Sequence, residues 1–185
     1  TFIVSPIYPD TNFSATKTEV CTGATDFTFN ATGNNIKNFL WDFGDGTPTA
    51  TGNNITHAFS PAPGPYTVKL TVTDNNNCVA TRTRVNYMQV QDYPVASFTS
   101  DADNVTPLCY PTQITFTSNS TGNVDSLAWD LANGSPTLPA SPVTTTYNTP
   151  GIYNAKLEVT SSYGCKDATI RPFNVVGPVA YCDLR

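Results

Sequence analysis

Charged side chains are scarce in this sequence, and this scarcity excludes several classes of partner. Asp, Glu, Lys and Arg make up 12% of the 185 residues, about half the usual share, and the formal net charge is −5. Lysines and arginines form no cluster, so nucleic acid and anionic membranes are poor partners. Apolar runs fall short of the roughly 18 residues of a membrane-spanning helix, so we expect no direct membrane insertion.

Groups that could perform catalysis are equally sparse. His57 is the only histidine of the chain, and it lies in a strand-like segment where a packed side chain is expected. No Ser-His-Asp set, no carboxylate pair with a pocket and no phosphate-binding loop can be assembled. The sequence therefore predicts a protein that is not an enzyme and needs no cofactor.

What the sequence does contain is typical of an all-β fold. Val68, Leu70 and Val72 alternate with polar residues, which indicates a strand with one buried face. Clusters of Asn, Gly, Asp and Pro recur about every 8–12 residues and mark turns. No helical period of useful length is found, and the pattern predicts a β-sandwich.

The chain also contains two copies of one module. Residues 41–49 have the sequence WDFGDGTPT, and residues 129–137 have the sequence WDLANGSPT. Cys21 and Cys109 keep this spacing of 88 residues, and the segments 64–73 and 151–160 match at a spacing of 87. A fixed offset along the whole chain is the signature of a tandem repeat.

The repeated motif resembles the WDFGDG signature of the polycystic kidney disease (PKD) domain. The residues that carry the resemblance are Trp41, Asp42, Gly44, Asp45 and Gly46 in the first copy and Trp129, Asp130 and Gly134 in the second, degenerate copy. The resemblance implies tandem Ig-like β-sandwiches. It further implies an extracellular repeat protein, similar to the large surface adhesins and filaments of gliding bacteria.

The landmarks of the repeat predict the domain boundaries. We expect residues 1–5 to end a preceding repeat, 6–92 and 93–177 to form two PKD-like modules, and 178–185 to begin a third repeat. The chain is accordingly interpreted as part of a longer array.

The motif has a structural interpretation before any functional one. We expect Trp41 and Trp129 to fill the space between the sheets and Asp45 to accept backbone N–H groups in a turn, with Gly46 at a positive φ. Asn133 replaces Asp45 in the second copy, which weighs against a catalytic carboxylate. Calcium bound by Asp42 and Asp45 remains an alternative, although the dense ligand spacing of a calcium loop is missing.

Five cysteines in such a chain predict disulfides and an oxidising location. In an Ig-like sandwich, the cysteines before strand B and after strand F lie at opposite ends of a module. This favours bonds across the junctions, Cys21–Cys165 and Cys109–Cys182. The alternative is one bond within each copy, Cys21–Cys78 and Cys109–Cys165.

These observations predict a mechanical function outside the cell. The expected protein is secreted to the cell surface, where it forms an extended spacer or filament. Its expected partners are neighbouring repeats or copies of itself, with surface glycans or other adhesins as further candidates. A binding module of a secreted hydrolase, which would need an exposed row of aromatic side chains, and a surface-layer subunit are the alternatives. Ser126 lies in a segment that resembles a bacterial O-glycosylation site.

Overall fold

Beta-strands joined by turns make up the part of the chain that the structure describes, and they belong to two units. The computed structural model describes residues 8–59, 62–105 and 107–177. One unit extends to Asp92 and the other begins at Tyr93. No helix that could cross a membrane is found in these described ranges. The predicted ends of neighbouring repeats, residues 1–5 and 178–185, lie outside them and remain predictions.

The first unit consists of two sheets. One sheet has the strand order β1-β3-β6, and the other has the order β2-β8-β7-β4-β5. The strands are β1 (Asn12–Ala15), β2 (Glu19–Cys21), β3 (Phe29–Thr32), β4 (Ile36–Asp42), β5 (Ala50–Thr51), β6 (Asn54–Ile55), β7 (Gly64–Asp74) and β8 (Val79–Gln91).

The second unit repeats this topology with a simpler edge. Its sheets have the orders β13-β11-β9 and β10-β15-β14-β12. The strands are β9 (Phe98–Ser100), β10 (Leu108–Cys109), β11 (Thr112–Ser118), β12 (Ser126–Asp130), β13 (Val143–Tyr147), β14 (Gly151–Thr160) and β15 (Lys166–Val176).

The first strand of each unit is divided between the two sheets. In the first unit, β1 pairs antiparallel with β3, whereas β2 pairs parallel with β8. In the second, β9 pairs antiparallel with β11 and β10 pairs parallel with β15. Because the chain passes from one sheet to the other, β2 and β10 each lie beside the last strand of their unit. Cys21 is the last residue of β2, and Cys109 is the last residue of β10.

The core of the first unit forms because β7 buries alternate residues. Val68, Leu70 and Val72 are completely buried, as the alternating pattern predicts. They pack with a cluster of aromatic rings in which Trp41 contacts Phe13 and Phe29. A separate cluster of buried residues fills the second unit. The predicted all-β fold of tandem Ig-like sandwiches is confirmed.

Candidate functional site: the tryptophan turns and the cysteines

Trp41 and Trp129 occupy matching places in the two cores. Both indole rings are completely buried. Trp41 Nε1 donates a hydrogen bond of 2.7 Å to the carbonyl oxygen of Gly52, and Trp129 Nε1 donates one of 2.8 Å to that of Ala140. A buried indole N–H needs such an acceptor, so each tryptophan also fixes the returning chain of its own sheet.

The turn after each tryptophan is tight, and its third residue has a left-handed backbone. Asp42 Oδ1 accepts the N–H of Gly44 at 3.0 Å, and Asp130 Oδ1 accepts the N–H of Ala132 at the same distance. Gly44 has φ 71° and Ala132 has φ 55°. The second unit thus keeps the turn although an alanine stands in place of the glycine.

The next turn residue is polar in both units and caps the same bend. Asp45 Oδ1 accepts hydrogen bonds from the backbone N–H and the hydroxyl of Thr47, at 3.2 and 2.6 Å. Asn133 Oδ1 accepts the N–H of Ser135 at 3.1 Å. Gly46 and Gly134 follow with φ 81° and 80°.

Asp45 also contacts a histidine, a pairing that was not predicted from the sequence. Its Oδ2 atom lies 2.7 Å from Nε2 of His57, and the Asp45 side chain is completely shielded from solvent. The imidazole stacks on Phe43 with ring centroids 3.8 Å apart. In the second unit, Asn133 Nδ2 donates a bond of 2.6 Å to the hydroxyl of Thr145.

The two pairs are equivalent, and the sequence contained a signal for them. Each joins residues twelve positions apart, and both members change together between the copies. A carboxylate faces an imidazole in one unit, and an amide faces a hydroxyl in the other. A comparison of substitutions at the repeat offset could have revealed the contact.

The surroundings of Asp45 determine its ionisation. Burial acts to raise the pKa of this carboxyl group, but the hydrogen bonds from Thr47 and His57 outweigh it and leave the pKa below its usual value. The ionised form is therefore stabilised in the folded unit. In the second unit, burial raises the pKa of Tyr147, whose hydroxyl donates a bond of 2.8 Å to the carbonyl oxygen of Leu131.

The turn carboxylates are engaged by the protein itself. Oxygen atoms of Asp42 and Asp45 accept hydrogen bonds from the turn, and His57 faces the second oxygen of Asp45. Among the described residues, no group of three or more His, Cys, Asp or Glu side chains could hold a metal ion. Ser126, the predicted glycosylation site, is exposed at the start of β12.

The cysteines are in two different states. Cys21, Cys109 and Cys165 are disulfide-bonded, whereas Cys78 is a free and exposed thiol. Cys182 lies outside the described residues. The alternative bond Cys21–Cys78 is therefore wrong. Cys21 lies opposite Gln91, the last residue of β8, while Cys78 precedes the first residue of that strand.

The same geometry makes the alternative bond Cys109–Cys165 wrong. Cys109 lies opposite Val176 at one end of β15, and Cys165 immediately precedes Lys166 at the other end. The strand has 11 residues, which at about 3.3 Å per residue separates its ends by roughly 30 Å. A disulfide requires Cα atoms within about 7 Å.

Cys78 and Cys165 have the same local environment in the two units. Asp74 Oδ1 accepts the N–H of Cys78 at 2.8 Å, and Ser161 Oγ accepts the N–H of Cys165 at 3.1 Å. Both cysteines follow a tight turn between the last two strands of a unit. Equivalent positions thus hold a free thiol in one unit and a bonded cysteine in the other.

Comparison with known proteins identifies the family. The sequence profile of the PKD domain matches residues 4–90 and again residues 91–175. The chain therefore belongs to the PKD domain family and contains two tandem PKD domains, which are non-catalytic modules. The resemblance predicted from the tryptophan motifs is confirmed. No curated protein matches the chain.

Solved structures with similar domains include three bacterial examples. The PKD1 domain of the Vibrio cholerae metalloprotease PrtV is 28% identical, covering 45% of this chain and 96% of that chain, with a TM-score of 0.38. The PKD1 domain of Vibrio anguillarum Epp is 25% identical, covering 48% and 99%, with a TM-score of 0.39. The fibronectin(III)-like modules of Clostridium thermocellum CbhA are 13% identical, covering 92% and 96%, with a TM-score of 0.46.

Proposed function

We propose that the two PKD domains form a rigid segment of an extracellular spacer or filament, locked by a disulfide between Cys21 and Cys165. The single observation that carries this proposal is the position of each bonded cysteine in its own domain, beside the linker. Disulfide-bonded cysteines are typical of proteins in an oxidising compartment, which supports an extracellular location.

Cys21 lies at the end of the first domain where the linker begins. The residue after it, Thr22, donates its N–H to the carbonyl oxygen of Gln91 at 2.9 Å. The Thr22 hydroxyl donates to Asp92 at 2.8 Å. Cys21 is therefore fixed directly beside the residues from which the chain leaves the domain.

Cys165 lies at the end of the second domain where the linker arrives. Ala96 donates its N–H to the carboxylate of Asp167 at 2.8 Å, two positions after Cys165. Only residues 93–95 lie between Asp92 and Ala96, and Val95 itself exchanges backbone hydrogen bonds with Thr121. We propose that so short a connection lets the two cysteines meet. A bond between them would fix the angle between the domains.

The remaining cysteines extend the same pattern along an array. Cys109 occupies the position in the second domain that Cys21 occupies in the first. We assign Cys182 as the disulfide partner of Cys109. Cys78 corresponds to Cys165, so a preceding repeat would provide its partner at a position like that of Cys21. A covalent link at each junction would make the array resist bending, as a surface spacer or filament requires.

The alternative of a glycan- or substrate-binding module has less support. It requires aromatic side chains in a row on an exposed sheet face. In the described ranges, the aromatic side chains among the exposed large hydrophobic residues are Tyr8 and Tyr93, and neither lies on a strand. A surface-layer subunit, the further alternative, would be distinguished by assembly into a two-dimensional lattice.

Disulfide mapping tests the proposal. The native protein is alkylated to block free thiols, digested without reduction and analysed by mass spectrometry. The expected result is one blocked thiol, at Cys78, and two linked peptide pairs, Cys21 with Cys165 and Cys109 with Cys182. Recovery of Cys21 linked to Cys109 or to Cys182 would contradict the proposed lock.

A further inference from the structure

A cavity of about 550 Å³ opens at one edge of the second domain. It lies between Phe98 of β9, residues 102–105 and 107 of the loop that follows, and the later half of β15. The described residues that line it are Phe98, Ser100, Ala102, Asp103, Val105, Pro107, Leu108, Arg171, Pro172, Phe173, Asn174 and Val176. Its volume is in the range of small-molecule binding sites, and its wall is half apolar and half polar.

The first domain fills the corresponding edge with a side chain of its own. The ring of Tyr87 packs edge-on against Phe13 with centroids 5.5 Å apart. The Tyr87 hydroxyl accepts the N–H of Ala15, the last residue of β1, at 2.8 Å. Tyr87 thereby ties the last strand of the domain to the first strand across the sandwich edge.

The second domain lacks this tyrosine because its last strand lacks a bulge. In the first domain the β7–β8 register shifts between Tyr66 and Val68, and Asn86 has φ 50°. Residues 85–87 lie between Arg84 and Met88, two residues more than the second domain has at this place. The register of β14 with β15 runs without a shift, so Pro172 stands alone between Arg171 and Phe173.

The positive charge that faces the tyrosine ring is present in both domains. The Arg84 guanidinium lies 4.9 Å from the ring centroids of both Phe13 and Tyr87. Its counterpart Arg171 lies 5.4 Å from the centroid of Phe98. A second aromatic ring beside Arg171 would contact its guanidinium group as Tyr87 contacts that of Arg84. Such a cation–π contact is favourable.

Polar groups at the same place suit a hydroxyl group. Arg171 Nη1 donates bonds of 2.9 Å to the carbonyl oxygen of Phe98 and 3.0 Å to Oδ2 of Asp103. The N–H of Ser100, which corresponds to that of Ala15, donates to Asp103 Oδ2 at 3.0 Å. The carboxylate thus occupies the acceptor role of the Tyr87 hydroxyl and can itself accept a bond from a ligand hydroxyl.

From this comparison we infer that the edge cavity of the second domain binds a phenol ring, as presented by a tyrosine side chain of a partner polypeptide. The ring takes the place that Tyr87 occupies in the first domain, between Arg171 and the apolar wall of Val105 and Leu108. Its hydroxyl donates to Asp103. The site would give a non-catalytic repeat a specific contact point on one of its two domains.

Titration with p-cresol, the side-chain analogue of tyrosine, tests the inference in the intact chain. In ¹H–¹⁵N NMR spectra, the amides of residues 98–103 and 171–176 should shift saturably, while those around Tyr87 in the first domain stay unchanged. Toluene, which lacks the hydroxyl group, should bind several-fold more weakly because it forms no bond with Asp103. Shifts that do not saturate, or equal shifts in both domains, would overturn the inference.

Two kinds of variant sharpen the test. Ala102→Trp fills the cavity and should abolish the shifts, and Val105→Phe provides a second filling variant should the first fail to fold. Tyr87→Ala, the matched variant of the first domain, should create a similar space, and p-cresol should then shift the amides of residues 84–89. Undiminished shifts at residues 98–103 in both filled variants would show that the cresol binds elsewhere.

Discussion

At the scale of single residues, Trp41 stabilises the first domain in two ways, through the buried surface of its indole ring and through the hydrogen bond of its N–H group. The ring contacts Phe13, Phe29 and Phe43, and the indole nitrogen donates to the carbonyl oxygen of Gly52. We expect Trp41→Ala to lower the free energy of unfolding of this domain by about 3–5 kcal/mol, because it leaves a large cavity.

The control for that variant separates packing from hydrogen bonding. Trp41→Phe keeps most of the ring area but removes the donor, so its cost should be clearly smaller. Denaturant unfolding followed by the fluorescence of Trp129, together with circular dichroism, distinguishes the two domains. An equal loss in both variants would show that the hydrogen bond, and not the cavity, dominates.

The pairing of Asp45 with His57 makes a second prediction about residues. Asp45→Asn should cost less than about 2 kcal/mol, because the amide oxygen still accepts the Thr47 bonds, as Asn133 accepts that of Ser135. His57→Thr alone should cost more, since it leaves a buried carboxylate and removes the stacking on Phe43.

The double variant tests whether the two positions are coupled. Asp45→Asn with His57→Thr recreates the pair formed by Asn133 and Thr145, so its cost should be smaller than the sum of the single costs by at least about 0.5 kcal/mol. Strict additivity in chemical denaturation would contradict the equivalence of the two pairs.

Ionisation of Asp45 predicts a specific response to acid. The folded state lowers the pKa of this carboxyl group below its usual 3.8, so the ionised form contributes stability above that pH. The contribution is lost as the pH falls through the lower folded value. We expect unfolding curves between pH 7 and pH 2 to show a steeper acid loss for the wild type than for Asp45→Asn.

The difference between these two proteins is the relevant quantity. The pKa values of Asp26, Asp103 and Glu158 are also lowered in the folded chain, so acid weakens both proteins through these groups. If the free energy of unfolding fell equally with pH in the wild type and in Asp45→Asn, the contacts with Thr47 and His57 would not stabilise the ionised carboxylate of Asp45.

At the scale of elements, the turn after the tryptophan differs between the domains in one informative way. Ala132 adopts φ 55°, a left-handed conformation that costs an alanine roughly 1–2 kcal/mol. Ala132→Gly relieves that strain but adds freedom to the unfolded chain, so a net gain of about 0.5–1 kcal/mol is expected. Thermal or denaturant unfolding of the second domain measures it.

The reverse change in the first domain is the matched control. A Cβ atom on Gly44 would lie 2.5 Å from the carbonyl oxygen of Thr67, and the residue has φ 71°. Gly44→Ala should therefore cost more than about 2 kcal/mol through both strain and collision. If Gly44→Ala were harmless, the close approach of Gly44 to Thr67 would not constrain this turn.

The sequence predicted the elements that depend on local patterns. Alternation in residues 67–73 predicted β7, and the tryptophan motifs predicted two buried rings. The β-bulge that carries Tyr87 was not predicted, because an insertion of polar and apolar residues in a long strand leaves the alternation ambiguous. The Asp45–His57 pair was also missed, since each residue was considered alone and the contact depends on how β4 and the following segments fold back.

At the scale of the whole molecule, the sequence repeat predicted more of the architecture than the amino-acid composition did. The offset between the copies gave the tandem architecture, and sandwich topology placed Cys21 and Cys78 at opposite ends of one domain. The states of the cysteines follow from that long-range geometry, which no local pattern encodes. The edge cavity could not be predicted, because it arises from residues that the second copy lacks.

The proposed disulfide makes a mechanical prediction that separates rigidity from stability. Cys21→Ser should widen the distribution of distances between the domains, measured by double electron–electron resonance with one spin label on each domain. The variant should change the unfolding free energy of each domain by much less than the roughly 4 kcal/mol that a bond within one domain would contribute. Each core is closed by its own strands, so the proposed junction bond would restrain the orientation of the domains and not their folding.

Cys78→Ser is the control for this experiment, because it removes an exposed thiol that has no bond. It should leave both the distance distribution and the stability of the two domains unchanged, and it prevents exchange of the free thiol with the junction bond. If Cys21→Ser and Cys78→Ser gave the same narrow distribution, the short linker of residues 93–95 alone would hold the domains. The rigidity of a surface spacer would then come from the linker and from domain packing, with no covalent lock.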